Sequence, residues 1–323
     1  MTEQEKPDVL SRTREYTLDW LVALLPLWLI SLFYFRLSAF VLELLALGGY
    51  LMAALLLERL VGGRSGSLLL RGAVTALLVA FCLPAKAPFW LSALGGGLAA
   101  MLDILPRFLQ EKFSRLTLPR VHPALTAFVV LRLVFPTGCT GYTMPTQWIG
   151  IDSLSAATPL AAFFGQPLLI ERWHLFFGVH AGTIGGVCTA VTLLAAVYLL
   201  LRRRIRVLTP AAMLVTVSLL SLCLWQSPLY ALLAGGVCLT AVVLGDKTYA
   251  PKAPLDQLMM GLVAGVVTVL IRRFGGWAEG AAVGLLAAQM LLPFFPCFYR
   301  LCRFLWDKAK GIYINLRNSK NNG

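Results

Sequence analysis

Charge is scarce in this chain. Only 13% of its 323 residues are Asp, Glu, Lys or Arg, and the acidic ones number 15 against 28 basic. Histidine occurs three times. The seven cysteines, Cys82, Cys139, Cys188, Cys223, Cys238, Cys297 and Cys302, form no C-x-x-C pair. Metal centres need clustered soft or acidic ligands, so no metal site is expected. No acidic D-D-x-x-D cluster and no H-x-x-x-x-D pair is present, which argues against a metal-dependent transferase acting on lipid. The basic residues form no stripe and accompany no nucleic-acid motif, so nucleic acid is not an expected partner. No catalytic residue is assigned.

What the chain has instead is apolar surface. Hydrophobic residues make up 59% of it and the mean hydropathy is +0.78. A soluble domain of this length has no core large enough to hide that much. The apolar runs are long and continuous rather than alternating, which selects helices over a barrel. They fall at 18–35, 38–57, 67–84, 88–105, 121–137, 174–201, 208–225, 228–245, 257–271 and 278–298. Each is close to the roughly 20 residues needed to cross a bilayer. The expected fold is therefore an all-α polytopic membrane protein of about ten transmembrane helices. The polar N-terminus shows no cleavable signal peptide, since the first run has the length of a full span.

Orientation follows from the basic residues. With the N-terminus inside, the inner segments hold 22 Lys and Arg, the outer segments hold five (Arg36, Lys86, Arg172, Arg272 and Arg273), and Arg132 falls within a span. That asymmetry places both termini in the cytoplasm. Arg272 and Arg273 fit least well and are read as snorkelling from the end of the ninth run. The organisation expected is a tail at 1–17, a five-helix half at 18–137, an outer loop at 138–173, a second five-helix half at 174–298, and a tail at 299–323. Five spans per half would make the halves inverted repeats.

The outer loop is the one long connection. It is rich in Gly, Thr, Ser and Pro but carries Tyr142, Trp148, Phe163 and Phe164, so it reads as ordered and folded over the bundle. Within it lies Asp152-Ser153-Leu154-Ser155-Ala156-Ala157-Thr158-Pro159-Leu160. This stretch resembles the covalent flavin-attachment motif D-G-x-[ST]-G-A-T, matching at Asp152, Ser155, Ala157 and Thr158, with Ser153 and Ala156 in place of glycines. A threonine hydroxyl needs an external catalyst to become a nucleophile. A turn of small residues lets such a catalyst approach.

Further stretches carry a wider resemblance, in order along the chain. They are Ser65-Gly66-Ser67 with Leu83-Pro84 and Pro88-Phe89-Trp90, then Val121-His122-Pro123-Ala124 (His where the family has Asn), and Gly178 to Gly186 (Gly186 where Glu is usual). Leu244 to Pro251 and Gly261 to Gly280 follow, the second containing Ile271-Arg272-Arg273-Phe274-Gly275-Gly276-Trp277-Ala278-Glu279-Gly280. From about residue 18 to 300 the chain resembles the D subunits of Rnf ion-translocating electron-transport complexes. More distantly, it resembles the B subunits of the sodium-translocating NADH:quinone reductases.

The resemblance implies FMN joined to Thr158 through a phosphoester made by a flavin transferase. Asp152, Ser155 and Ala157 would shape that site, with Gly182 and Gly185 as further cofactor contacts. It implies a second, non-covalent flavin such as riboflavin, whose ligands the sequence does not place. It further implies the A, B, C, E and G components of the Rnf complex as partners. The setting is the inner membrane, with the flavin loop on the extracytoplasmic side. The implied function is electron relay in a ferredoxin:NAD ion pump, as one part of a translocase rather than a complete enzyme.

Gly182 and Gly185 serve equally as small residues for helix packing. His180 reads as a core histidine bonded to a carbonyl. Glu43, Asp103, Arg132 and Glu279 lie in or near spans, where ionisable groups default to functional hypotheses. Asp246 reads as a turn residue. The competing function is a secondary transporter without flavin, binding its substrate between the two halves.

Overall fold

The computed structural model describes residues 5–61, 68–113, 119–145, 172–225, 228–275, 277, 279–297 and 299–300. Among them the chain is helical and contains no strand, only three isolated bridges. In chain order the helices are α1 (Glu5–Val61), α2 (Leu68–Cys82), α3 (Phe89–Lys112), α4 (Pro123–Val134), α5 (Arg172–Phe177), α6 (Thr189–Leu201), α7 (Leu208–Trp225), α8 (Pro228–Leu233), α9 (Val237–Leu244), α10 (Pro254–Phe274) and α11 (Ala281–Leu291). Three stretches are long and apolar enough to cross a membrane on their own: Thr13–Leu60, Phe89–Gln110 and Pro254–Phe274. The others are shorter apolar helices. Large apolar side chains such as Met52, Leu60, Leu201 and Phe274 stand exposed around the outside. This is the expected surface of a multi-pass membrane protein, whose outer solvent is lipid.

Helix α1 is two limbs joined at Arg36, whose φ of 51° and ψ of −130° break the helix. The limbs fold back on each other, because Ser31 Oγ lies 2.7 Å from Glu43 Oε1. Twelve residues along a straight helix would separate them by about 18 Å. The break agrees with the gap between the first two apolar runs.

Backbone contact through glycine fixes the tightest pairings. A Cβ on Gly49 would lie 2.0 Å from the Ala93 carbonyl oxygen, and one on Gly96 would lie 2.0 Å from that of Ala46, so the second limb of α1 and α3 touch along their backbones. In the second half Gly261 plays the same part between α10 and α7, where a Cβ would meet the Thr209 carbonyl at 2.4 Å. Gly284 does so between α11 and α10, against the Ala264 carbonyl at 2.4 Å. Without a hydrophobic driving force between helices in lipid, such close approach is what holds them.

Two apolar runs read as continuous spans are interrupted. The sixth, 174–201, contains an irregular segment from Gly178 to Cys188 between α5 and α6. Gly178 takes a φ of +91°, and the segment pairs its backbone with the end of α2, Ile184 N to Leu83 O at 3.0 Å and Gly185 N to Phe81 O at 2.9 Å. Gly182 and Gly185 thus sit in this segment rather than in a helix. The eighth run breaks between α8 and α9, where Gly235 and Gly236 have φ of 68° and 63°. Hydropathy registers how apolar a run is; it does not register glycines in a left-handed conformation. The outer loop is described up to Pro145 and from Arg172. In that first part Cys139 and Thr143 are buried, and Thr143 bridges to Gly182, so the loop begins by packing onto the bundle.

Candidate functional site

The four motif positions Asp152, Ser155, Ala157 and Thr158 lie outside the described residues. Gly182 is crowded by Val187 and His180, and a Cβ on Gly185 would fall 2.3 Å from Phe81 Cβ. Their small size serves packing between the irregular segment and α2. His180 is fully buried, with Nδ1 3.1 Å from the Ala181 carbonyl. Arg132 hydrogen-bonds the Pro136 carbonyl through Nη1 at 2.6 Å and lies over the Trp277 ring, 5.5 Å from its centroid. Arg272 does not snorkel outward. It is buried, and its guanidinium donates to the carbonyls of Ala231 and Ala234, which close α8.

A concentration of polar groups lies elsewhere, around a cavity of about 450 Å³. Six parts of the chain build it. Tyr16, Thr17 and Trp20 come from the first turns of the membrane part of α1, Arg71 and Thr75 from α2, and Asp103 from α3. His122 precedes α4, Arg204 follows α6, and Asp246, Thr248 and Tyr249 lie between α9 and α10.

Each wall is fixed. The Tyr16 hydroxyl donates to Asp246 Oδ1, which also accepts the Thr248 N–H at 2.8 Å. The loops bearing Arg204 and Asp246 are joined backbone to backbone, Lys247 N to Arg204 O at 3.2 Å and Arg206 N to Gly245 O at 2.7 Å. Asp19 holds both Arg202 Nε, at 2.9 Å, and Arg204 Nε, at 2.5 Å. Arg204 also stacks over the Tyr16 ring at 5.3 Å. Across the cavity, Asp103 accepts from Tyr50 at 3.0 Å and from Arg107. The His122 ring packs on that of Tyr249, centroids 4.8 Å apart, and its backbone N–H donates to Gln289 Oε1 at 2.7 Å.

The electrostatics of this room are mixed. Burial outweighs the hydrogen bonds from Tyr16 and Thr248 and holds the Asp246 carboxyl above the ordinary carboxylate range. Burial likewise pushes the Tyr249 phenol upward. His122 Nδ1 is buried without a partner, and a buried polar atom left so calls for an explanation, such as a ligand that meets it. Aromatic faces, two guanidinium groups and an orphan ring nitrogen around this volume suit a flat, polar-edged molecule. The volume is within the range of sites for cofactors and drug-sized ligands.

Sequence reasoning reached His122 and Asp246 only as departures or turns within motifs, and it did not single out Tyr16, Arg71, Thr75 or Tyr249. The available signal was that V-H-P-A and L-G-D-K-T-Y-A-P both carry the wider resemblance; their meeting through His122 and Tyr249 is a tertiary fact.

The profile of the NQR2, RnfD, RnfE family matches residues 8–301. The chain is 28% identical over 232 residues to the D subunit of the Na(+)-translocating ferredoxin:NAD(+) oxidoreductase complex of Acetobacterium woodii, covering 70% of each chain. It is also 28% identical over 270 residues to the D subunit of the ion-translocating oxidoreductase complex of Salmonella arizonae, covering 70% of this chain and 75% of that one.

Proposed function

The chain belongs to the NQR2, RnfD, RnfE family, and from that premise we propose that it is the membrane subunit of an Rnf-type ion-translocating ferredoxin:NAD oxidoreductase that relays electrons through flavin. The observation that carries this reading is the family match over residues 8–301 together with the names of the D-type relatives. The D-x-x-S-x-A-T stretch ending at Thr158 supports FMN attachment there, which requires a flavin transferase. In this reading the chain crosses the inner membrane ten times with both termini cytoplasmic and the Thr158 loop outside. Its partners are the remaining Rnf subunits. Two features support paired five-helix repeats. Each half makes a glycine-mediated contact between its second and fourth apolar runs, α1 with α3 and α7 with α10. A break or turn also follows or interrupts the third run of each half, at Leu83–Pro88 and at Ala234–Gly236, although the first run of the second half alone is broken as well, at Gly178–Cys188.

The cavity is the place proposed for a second, non-covalent flavin. Its residues fit the group. His122 Nδ1 lacks a partner, Tyr249, Tyr16 and Trp20 offer ring faces, and the volume suffices. A bound flavin supplies one- and two-electron redox chemistry. The protein's part would be to grip and tune. Arg71 and Arg204 would favour the negative charge that arrives with an electron. His122 would hold a polar ring edge, and the wall of α1 would limit entry of water.

The test is in-gel flavin fluorescence and intact mass of the full chain co-expressed with an active flavin transferase, beside Thr158→Ala. A fluorescent band that survives denaturation and vanishes in the variant establishes the attached flavin. No flavin in either protein, with a control substrate labelled, removes this reading. It then leaves the secondary transporter, for which the broken α8–α9 pair is the supporting feature.

A further inference from the structure

The first helical hairpin contains a carboxyl that the electron-relay reading does not use. Glu43, on the second limb of α1, is 4% exposed, and its partner Ser31 on the first limb is fully buried. Ser31 Oγ lies 2.7 Å from the Trp28 carbonyl and 2.7 Å from Glu43 Oε1. A serine hydroxyl has one hydrogen, and a carbonyl can only accept. If Ser31 donates to Trp28, the contact with Glu43 needs a hydrogen of its own, and the only source is the carboxyl. Glu43 O–H to Ser31 O–H to Trp28 C=O is the arrangement in which both short contacts are hydrogen bonds.

The surroundings favour the same state. Glu43 Oε2 is buried and makes no hydrogen bond, and the donors near enough to act on the carboxyl are the neutral side chains of Ser31 and Trp28. The carboxyl borders a separate cavity of about 230 Å³ whose other lining residues are Trp28, Phe40, Leu44, Leu47, Ala73 and Leu77. These come from both limbs of α1 and from α2, and none is ionisable; α3, which packs on the same limb, brings Ser92 to the Leu42 carbonyl. No charged group acts on Glu43. Phe40 and Leu44 are exposed on the lipid-facing side, so the cavity opens toward the bilayer. An unpaired carboxylate in such a place would be costly; a neutral acid is not.

The geometry points to Glu43 as a proton-binding site of the first hairpin, reachable from the bilayer by uncharged lipophilic reagents. The proton ties the two limbs together through Ser31. Its loss leaves one hydroxyl hydrogen between two acceptors and a charge in an apolar cavity. The site is independent of any flavin.

A lipophilic carbodiimide tests this, because it reacts with a protonated carboxyl in an apolar setting. The Glu43 proton passes to one carbodiimide nitrogen while the carboxyl oxygen bonds to the central carbon. An oxygen-to-nitrogen acyl shift then gives a stable N-acylurea that retains the whole reagent, with no leaving group and no redox change. Membranes holding the full-length chain are treated with dicyclohexylcarbodiimide at neutral pH and the adduct is located by peptide mass. The expected result is an adduct on Glu43, absent in Glu43→Gln, whose amide N–H replaces the acid O–H toward Ser31. If Glu43 stays unmodified in the membrane but is modified after denaturation in mild acid, the proposal is wrong. A second readout does not depend on reactivity. A group that keeps its proton in the fold and loses it in the unfolded chain stabilises below the unfolded value and ceases to do so as pH rises. Wild type should therefore lose thermal stability more steeply than Glu43→Gln as pH rises from the ordinary carboxyl value of 4.5 through neutrality; parallel profiles would overturn the assignment. Should the variant fail to fold, the wild-type labelling decides alone.

Discussion

Arg272 Nη1 lies 2.7 Å from the carbonyl oxygen of Ala231, forty-one residues away. The guanidinium at the end of α10 thus supplies the donor that the end of α8 lacks, with Ala234 accepting from Nη2 at 3.1 Å. Helices leave their last carbonyls unpaired, and in a membrane water is not at hand to take them. The Gly235-Gly236 break is possible in the bundle because this arginine turns inward.

Removing that cap should be expensive. Hydrogen bonds to charged groups contribute about 1.5–3 kcal/mol each, so Arg272→Gln is expected to lower the unfolding temperature in detergent by several degrees. Arg273→Gln, on the exposed side of the same turn, should change stability by no more than about 0.5 kcal/mol. Equal effects of the two would refute the capping role.

The backbone contact between α1 and α3 makes a sharp steric prediction. Gly49→Ala puts a methyl group where the Ala93 carbonyl already lies, whereas a Cβ on the adjacent Gly48 has nothing within 4 Å. Overpacking of this kind costs about 1–3 kcal/mol. The yield of monodisperse protein from membranes should fall for Gly49→Ala and hold for Gly48→Ala.

Asp246 links a cavity wall to pH. Burial raises its folded-state pKa above the ordinary value of 3.8. Its contribution to stability is then greatest when it is protonated, and it is lost as pH rises through the folded value. Asp246→Asn can still accept from Tyr16 and from the Thr248 N–H but cannot ionise. Thermal melts from pH 4 upward should show a flatter profile for this variant than for wild type. An identical slope would mean that ionising Asp246 carries no such penalty.

For the cavity itself, His122→Leu and Tyr249→Leu should reduce the flavin released on denaturation while leaving any SDS-stable fluorescence at Thr158 intact. Unchanged released flavin in both variants would move the non-covalent cofactor out of this cavity.

The sequence by itself determined the class of the protein. Continuous apolar runs dictate helices in lipid, and the break between the first two runs at Arg36 was visible as a lapse in hydropathy. The collinear motifs placed the chain in its family. All of these are local properties, summed along the chain. Tertiary structure decided what depends on distant segments meeting. Tyr16 reaches Asp246 across 230 positions, and His122 meets Tyr249 from a different part of the chain. Arg272, which charge counting put at the outer surface, is drawn inward by carbonyls that exist only because α8 ends where it does. The sixth and eighth runs, read as continuous spans, are broken by glycines in left-handed conformations, and the sixth also by backbone pairing with the end of α2. A cavity is a relation among elements, and its walls become legible only once the bundle has closed around them.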